Sequence, residues 1–224
     1  SILQADCVLL AGANVLKSHP VAGCYILRAK ARNRAQLLVI DPRQNDLGAR
    51  SDLWLRPTET GLGALIKALA GLVPNKAKGG HRRKVTSVPQ ALEAIGLDAV
   101  SLEQAANMLS SAQNLVVVYG DGILGKKDPG LVADLLELGR VASPAGLKVV
   151  SLKPRGNSRG AWEMGIASDG LAKAKPRLVY ILLSDDEVGA EDWVRQAEQA
   201  EFLVVQASYT SPLTEAADVV LPSR

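Results

Sequence analysis

One pattern is written into this chain twice. In the first copy the apolar run Val8-Leu9-Leu10-Ala11 breaks into the polar turn Gly12-Ala13-Asn14, a helix-like stretch follows, and Leu37-Leu38-Val39-Ile40 breaks into Asp41-Pro42-Arg43. Asp52 then opens Leu53-Trp54-Leu55, which stops at Pro57. In the second copy Leu178 to Leu183 breaks into Ser184-Asp185-Asp186, and Phe202-Leu203-Val204-Val205 breaks into Gln206-Ala207-Ser208. Asp218 opens Val219-Val220-Leu221, which stops at Pro222. A short apolar run that ends in small and polar residues is a buried strand ending in a turn, and its repetition after helical stretches implies parallel βαβ units.

The fold expected from this pattern is α/β: a three-layer α/β/α arrangement of mainly parallel sheets, in two Rossmann-like halves related by internal duplication. The halves are expected at residues 1–168, with inserted helices, and 169–224. Between the copies the periodicity predicts helices over 21–35, 62–72, 89–95, 101–111 and about 129–142, with strands over 115–119 and 147–152. Pro20 suits the first turn of its helix, where a missing N–H costs nothing. Ser101 is expected as an N-cap with Gln104 three residues on.

The composition supports a buried core and little else that is special. Hydrophobic residues make up 47% and aromatics 4%, the usage of parallel strands packed under Ala- and Leu-rich helices. A net charge of +3 gives no case for nucleic acid as a partner. The cluster Lys76, Lys78, His81, Arg82, Arg83 and Lys84 carries no interleaved aromatic for base stacking and reads as a solvated loop. Cys7 and Cys24 are the only cysteines and no CxxC occurs, so neither an iron–sulfur cluster nor a structural zinc site is expected in this segment. No apolar run approaches the length of a membrane span, which argues against direct insertion. The start at Ser1 suggests an internal piece of a larger, cytoplasmic protein.

In an open parallel sheet, ligands lie beyond the carboxyl ends of the strands. That places the candidates on six turns, those at Gly12, Asp41, Gly120, Lys153 to Gly160, Ser184 and Gln206, expected to face one rim. Gly120-Asp121-Gly122-Ile123-Leu124-Gly125 matches GxGxxG, but Lys126-Lys127-Asp128-Pro129 delays the following helix and the next strand ends at Lys153 rather than an acid, so NAD is not expected. Asp41 could accept paired hydrogen bonds from a ribose or a guanine, or could cap its own turn with Arg43 as partner. Asp52 and Asp218 are expected to hold backbone N–H groups. His19, with no second ligand at metal spacing, is expected to cap or face solvent. Ser158, Ser184 and Ser208 lack the context of a hydrolase nucleophile.

Four blocks in order, 6–14 with Ser18-His19-Pro20, 38–43, 156–161 with Glu163-Met164-Gly165, and 214–222, resemble the molybdopterin oxidoreductases. Within that family they are most similar to the large iron–sulfur subunit of the respiratory NADH-quinone oxidoreductases. The resemblance implies that any pterin guanine dinucleotide meets the turns at Gly12 to Asn14, Asp41 to Arg43 and Asn157 to Gly160. The candidate cofactor-binding residues are then Gly12, Asn14, Asp41, Arg43, Gly120, Asn157, Arg159, Asp185 and Gln206, with no catalytic or metal-ligating residue.

Val15 and Lys17 replace the Pro and acid usual after the Asn, and Ser184 to Val188 replaces a Gly-acid-Asp-Pro turn. The leading expectation is therefore a scaffold domain without chemistry of its own, its iron–sulfur clusters elsewhere in the parent, partnered by the parent's other domains and by other subunits of a respiratory complex, peripheral at the inner face of the membrane. The alternative is a segment of a molybdenum or tungsten enzyme such as formate dehydrogenase, holding molybdopterin guanine dinucleotide.

Overall fold

The computed structural model describes residues 2–74, 97–124, 129–153, 158–165, 176–183, 190–197 and 199–223. The chain divides into two compact units, Ser1–Ser158 and Arg159–Arg224. The expected helix over 89–95 and the basic cluster from Lys76 to Lys84 lie outside the described residues.

The first unit is built on β1 (Cys7–Ala11), β2 (Gln36–Ile40), β3 (Leu53–Leu55), β4 (Leu115–Tyr119) and β5 (Lys148–Ser151), all parallel in the order β3-β2-β1-β4-β5. β1 and β4 lie in the middle and are buried at every residue, which is why they read as unbroken apolar runs. Side chains alternate across the pleat. Cys7, Leu9, Ala11, Leu38, Ile40, Leu115 and Val117 join one core with α3 (Leu62–Leu72), α4 (Ala99–Ser111) and α6 (Pro129–Ala142). Val8, Leu10, Leu37, Val39, Val116 and Val118 join the other, with Val15 of α1 (Val15–Ser18) and Ile26 of α2 (Pro20–Asn33). A further short helix, α5 (Asp121–Leu124), follows β4 directly.

Pro20 occupies the start of α2 as expected, and Arg34, at φ 53, ends that helix in the left-handed conformation. The cap of α4 differs from expectation. Asp98 is the N-cap and Ser101 the residue that donates, through its N–H at 2.7 Å and its hydroxyl at 2.9 Å. These bonds hold the Asp98 carboxyl below its ordinary value. Asp98 carries the extended backbone, φ −98 and ψ 161, that an N-cap needs, whereas Ser101 already lies within the helix.

The second unit carries β6 (Leu178–Leu182), β7 (Phe202–Ala207) and β8 (Val219–Pro222) as a parallel sheet, with α7 (Ser158–Glu163), α8 (Ala190–Ala197) and α9 (Pro212–Glu215) also described. Val179, Leu203, Val205, Ala197 and Leu213 form its core, whereas Leu178, Tyr180, Leu182 and Phe202 are exposed. The strand tips of the duplicated halves belong to two separate sheets, β1–β5 and β6–β8.

The duplication itself is visible as bonding. Leu37 N–H donates to Asp52 at 2.7 Å while Asp52 N–H donates back to the Leu37 carbonyl at 2.9 Å. Leu203 N–H donates to Asp218 at 2.7 Å and Asp218 N–H donates back to the Leu203 carbonyl at 3.0 Å. Each aspartate locks the start of an edge strand to its neighbour. The same register aligns Leu38 to Leu53 in one sheet and Val204 to Val219 in the other.

Candidate functional site

In the first sheet the chain steps one way from β1 to β2 and β3, and the other way from β4 to β5, so the order reverses between β1 and β4. A crevice forms where the connections diverge. Here the turns after these strands touch main chain to main chain: Gly122 N–H donates to the Gly12 carbonyl at 2.8 Å. Gly12 sits at φ +57, and a Cβ there would lie 2.9 Å from the Gly122 carbonyl carbon. A Cβ on Gly122 would meet Gly12 Cα at 2.8 Å and the Arg43 guanidinium at 2.6 Å, and one on Gly120 would meet Ala13 Cβ at 2.7 Å. The first two glycines of the GxGxxG match, Gly120 and Gly122, thus serve the packing of two turns; Gly125 lies outside the described residues. Contrary to expectation, a helical turn, α5, opens at once at Asp121.

Above this floor lies a cleft of about 300 Å³ lined by Ala13, Asn14, Lys17, Ser18, His19, Asp41, Arg43, Gln44, Gly120, Asp121 and Leu152. Asn14 Oδ1 is buried in the cleft wall with no hydrogen-bond partner among the described residues. The Asn14 carbonyl, by contrast, accepts from Lys17 N–H, Ser18 N–H and the Ser18 hydroxyl.

Asp41 takes the role of turn organiser. Its carboxylate, 1% exposed, accepts from Arg43 N–H at 3.0 Å, Arg43 Nε at 3.4 Å and the Asn45 amide at 3.1 Å. Its carbonyl accepts from Trp54 Nε1 at 3.1 Å. Asn45 also donates to the Ala13 carbonyl at 2.8 Å and accepts from Leu47 N–H at 3.0 Å, stapling the turns after β1 and β2 together. Arg43 stands half-exposed at the rim, where Nη1 reaches Asp121 at 3.5 Å and Nη2 the Gly12 carbonyl at 3.4 Å. Burial acts to lower this guanidinium, but Asp41 and Asp121 outweigh it and hold it above its ordinary value.

His19 does not cap α2 with its ring. Nε2 lies 2.9 Å from the Lys153 carbonyl after β5 and Nδ1 lies 3.0 Å from the Ser18 hydroxyl, so the ring joins α1 to the far side of the cleft.

The structure brings together Gly12, Asn14, Asp41, Arg43 and Gly120 of the expected residues. It does not place Gln206 at a turn. Gln206 lies within β7, opposite Leu182, and accepts a hydrogen bond from Tyr180 of the neighbouring strand. Asn157 and Asp185 lie outside the described residues, as does the Arg159 side chain, although Arg159 backbone is part of α7. Sequence reasoning missed Asn45 and Gln44 as parts of this site. The available signal was the polar run Arg43-Gln44-Asn45-Asp46 after a strand, which does not say which side chain turns inward. Among the described residues no three His, Cys, Asp or Glu side chains gather as a metal site, and no helix is long and apolar enough to cross a membrane.

Relatives share this chain over nearly its full extent. It is 25% identical to formate dehydrogenase H of Escherichia coli, over 98% of this chain and 39% of that one. It is 22% identical to the alpha subunit of the F420-dependent formate dehydrogenase of Methanocaldococcus jannaschii, over 98% and 41%. It is 25% identical to the probable oxidoreductase YjgC of Bacillus subtilis, over 99% and 29%. The chain therefore spans less than half the length of these curated relatives. In fold it is similar to acetylene hydratase from Pelobacter acetylenicus, with a TM-score of 0.64 and 14% identity, over 99% of this chain and 41% of that one. The model of the molybdopterin oxidoreductases matches residues 1–224, and this chain belongs to that family.

Proposed function

We propose that this chain is a nucleotide-binding segment of a molybdenum- or tungsten-dependent oxidoreductase of the formate dehydrogenase type, and that its cleft holds one guanine nucleotide arm of the pterin cofactor. The observation that carries the reading is the buried, unpartnered Asn14 Oδ1 on a cleft at the reversal of strand order. An unmet buried acceptor costs about 1–3 kcal/mol, which a donor from a ligand would recover. A guanine amine or a ribose hydroxyl is such a donor. Lys17 and Arg43 border the same cleft and supply positive charge for phosphate oxygens, Arg43 in a planar fork suited to them. At about 300 Å³ the cleft matches one nucleotide moiety rather than a whole dinucleotide. Asp41 acts through Arg43 and Asn45, whose positions it sets.

The bound cofactor would supply the redox chemistry of its metal centre. This chain's residues bind and orient its nucleotide end. The formate dehydrogenases among the relatives support this reading over the scaffold of an NADH-quinone oxidoreductase. One observation favours the scaffold: two carboxylates flank Arg43 and offset much of its charge. Metal and nucleotide analysis of the intact parent separates the two. Stoichiometric molybdenum or tungsten with guanine nucleotide released on denaturation is the expected result, and a parent with neither overturns the proposal. The remaining domains of the parent are the partners this segment requires.

A further inference from the structure

The two carboxylates on Arg43 differ in kind. Asp41 is buried and fixed by an N–H and an amide. Asp121 is 61% exposed and reaches Arg43 through a single contact at 3.5 Å. The remaining guanidinium contacts, to Asp41 and to the Gly12 carbonyl, are each 3.4 Å long. A strong charge-assisted bond from a guanidinium is about 2.7–2.9 Å. The head of Arg43 is therefore anchored by its own turn on one side and loosely held on the other, at the mouth of the cleft.

We infer that Asp121 is a displaceable counter-charge: it occupies the place on Arg43 that an entering phosphoryl oxygen takes, and so grades ligands by their charge. The inference rests on the nucleotide reading of the cleft. An exposed ion pair is worth only about 0.2–1 kcal/mol, so a phosphoryl group can break it. Once displaced, the carboxylate remains beside the anion and repels it, and the repulsion weakens with salt. A neutral ligand makes no demand on Arg43 and meets no such penalty. Asp121 is in this sense a specificity-determining residue acting through Arg43.

The test is calorimetric titration of the full chain and its Asp121→Asn variant with guanosine, GDP, ADP and inorganic pyrophosphate. The variant is expected to bind GDP and pyrophosphate about three- to five-fold more tightly at low salt, the gain an exposed pair of this kind can return. Guanosine should be unchanged, the gain should shrink in roughly 0.5 M salt, where the screening length is only a few ångströms, and Asp121→Glu should behave as the parent sequence does. A purely structural role for Asp121 would move all ligands alike or none. The inference is overturned if pyrophosphate binds neither protein, if Asp121→Asn brings no gain on pyrophosphate, or if guanosine shifts as much as GDP. Equal affinity for GDP and ADP together with the pyrophosphate gain would instead remove the guanine reading and leave the counter-charge standing. Preference for GDP over ADP with no effect of Asp121→Asn would do the reverse.

Discussion

Gly12 is the residue on which the site most depends, because it meets two demands at once. Its φ of +57 disfavours any side chain, and the space a Cβ would fill is already taken by Gly122 backbone. Left-handed backbone costs a non-glycine residue about 1–2 kcal/mol, and overpacking adds a further 1–3 kcal/mol. Gly12→Ala should thus lower unfolding stability by about 3 kcal/mol in urea titration. A loss under 1 kcal/mol would mean that the two turns separate freely. Cys7 is constrained differently: burial first, then Asp6 and Asp52, push its thiol up to about 12, so it behaves as a small apolar core residue.

At the scale of elements, polar side chains set where strands and helices begin. Asp98 starts α4, and its depressed pKa gives the sign of a pH effect. Its contribution is complete above the ordinary carboxylate range, near 4, and disappears as pH falls through the lower value it has when folded. Asp98→Ala should therefore be less stable than the parent at pH 7, with the difference closing in thermal melts taken progressively below pH 4. A difference that persisted at pH 2 would show that packing rather than the charged cap is responsible.

Strands β1, β2 and β4 and helices α3 and α6 were legible in the sequence because burial on two faces leaves long apolar runs and burial on one leaves a helical period. The cap of α4 was not, since Asp98 and Ser101 are both good capping residues and only the geometry of the entering chain selects one. The site was legible to the level of its turns. Counting from Asp41 and from Gln206 to the next aspartate makes those two look equivalent, whereas the ladder puts Leu38 with Leu53 and Val204 with Val219, which sets Gln206 in the place of Ile40. Asn45 was hidden because its burial comes from the turn after β1, far away in sequence.

For the molecule as a whole, the units differ in how completely they cover their sheets. The first sheet has a core on each face. In the second, Leu178, Tyr180 and Leu182 project from alternate positions of β6 with exposures of 58%, 51% and 66%. An apolar strip of this kind on a sheet edge is prone to self-association. Leu182→Lys should reduce light scattering of the concentrated chain while leaving its melting temperature within about 1 °C, since exposed substitutions usually change stability by less than 0.5 kcal/mol. A large fall in melting temperature would show that Leu182 is part of a packed core.

The carboxylates that lock strands together sit before the strands they serve: Asp6 accepts from Gln113 and Asn114 N–H just ahead of β4, and Asp52 from Leu37 at the head of β2. The cleft lies at the opposite ends of those same strands. The aspartate locks of this parallel layer thereby lie on the margin away from the cleft. Substitutions of exposed cleft residues such as Lys17 and Gln44 leave those strand-to-strand bonds untouched.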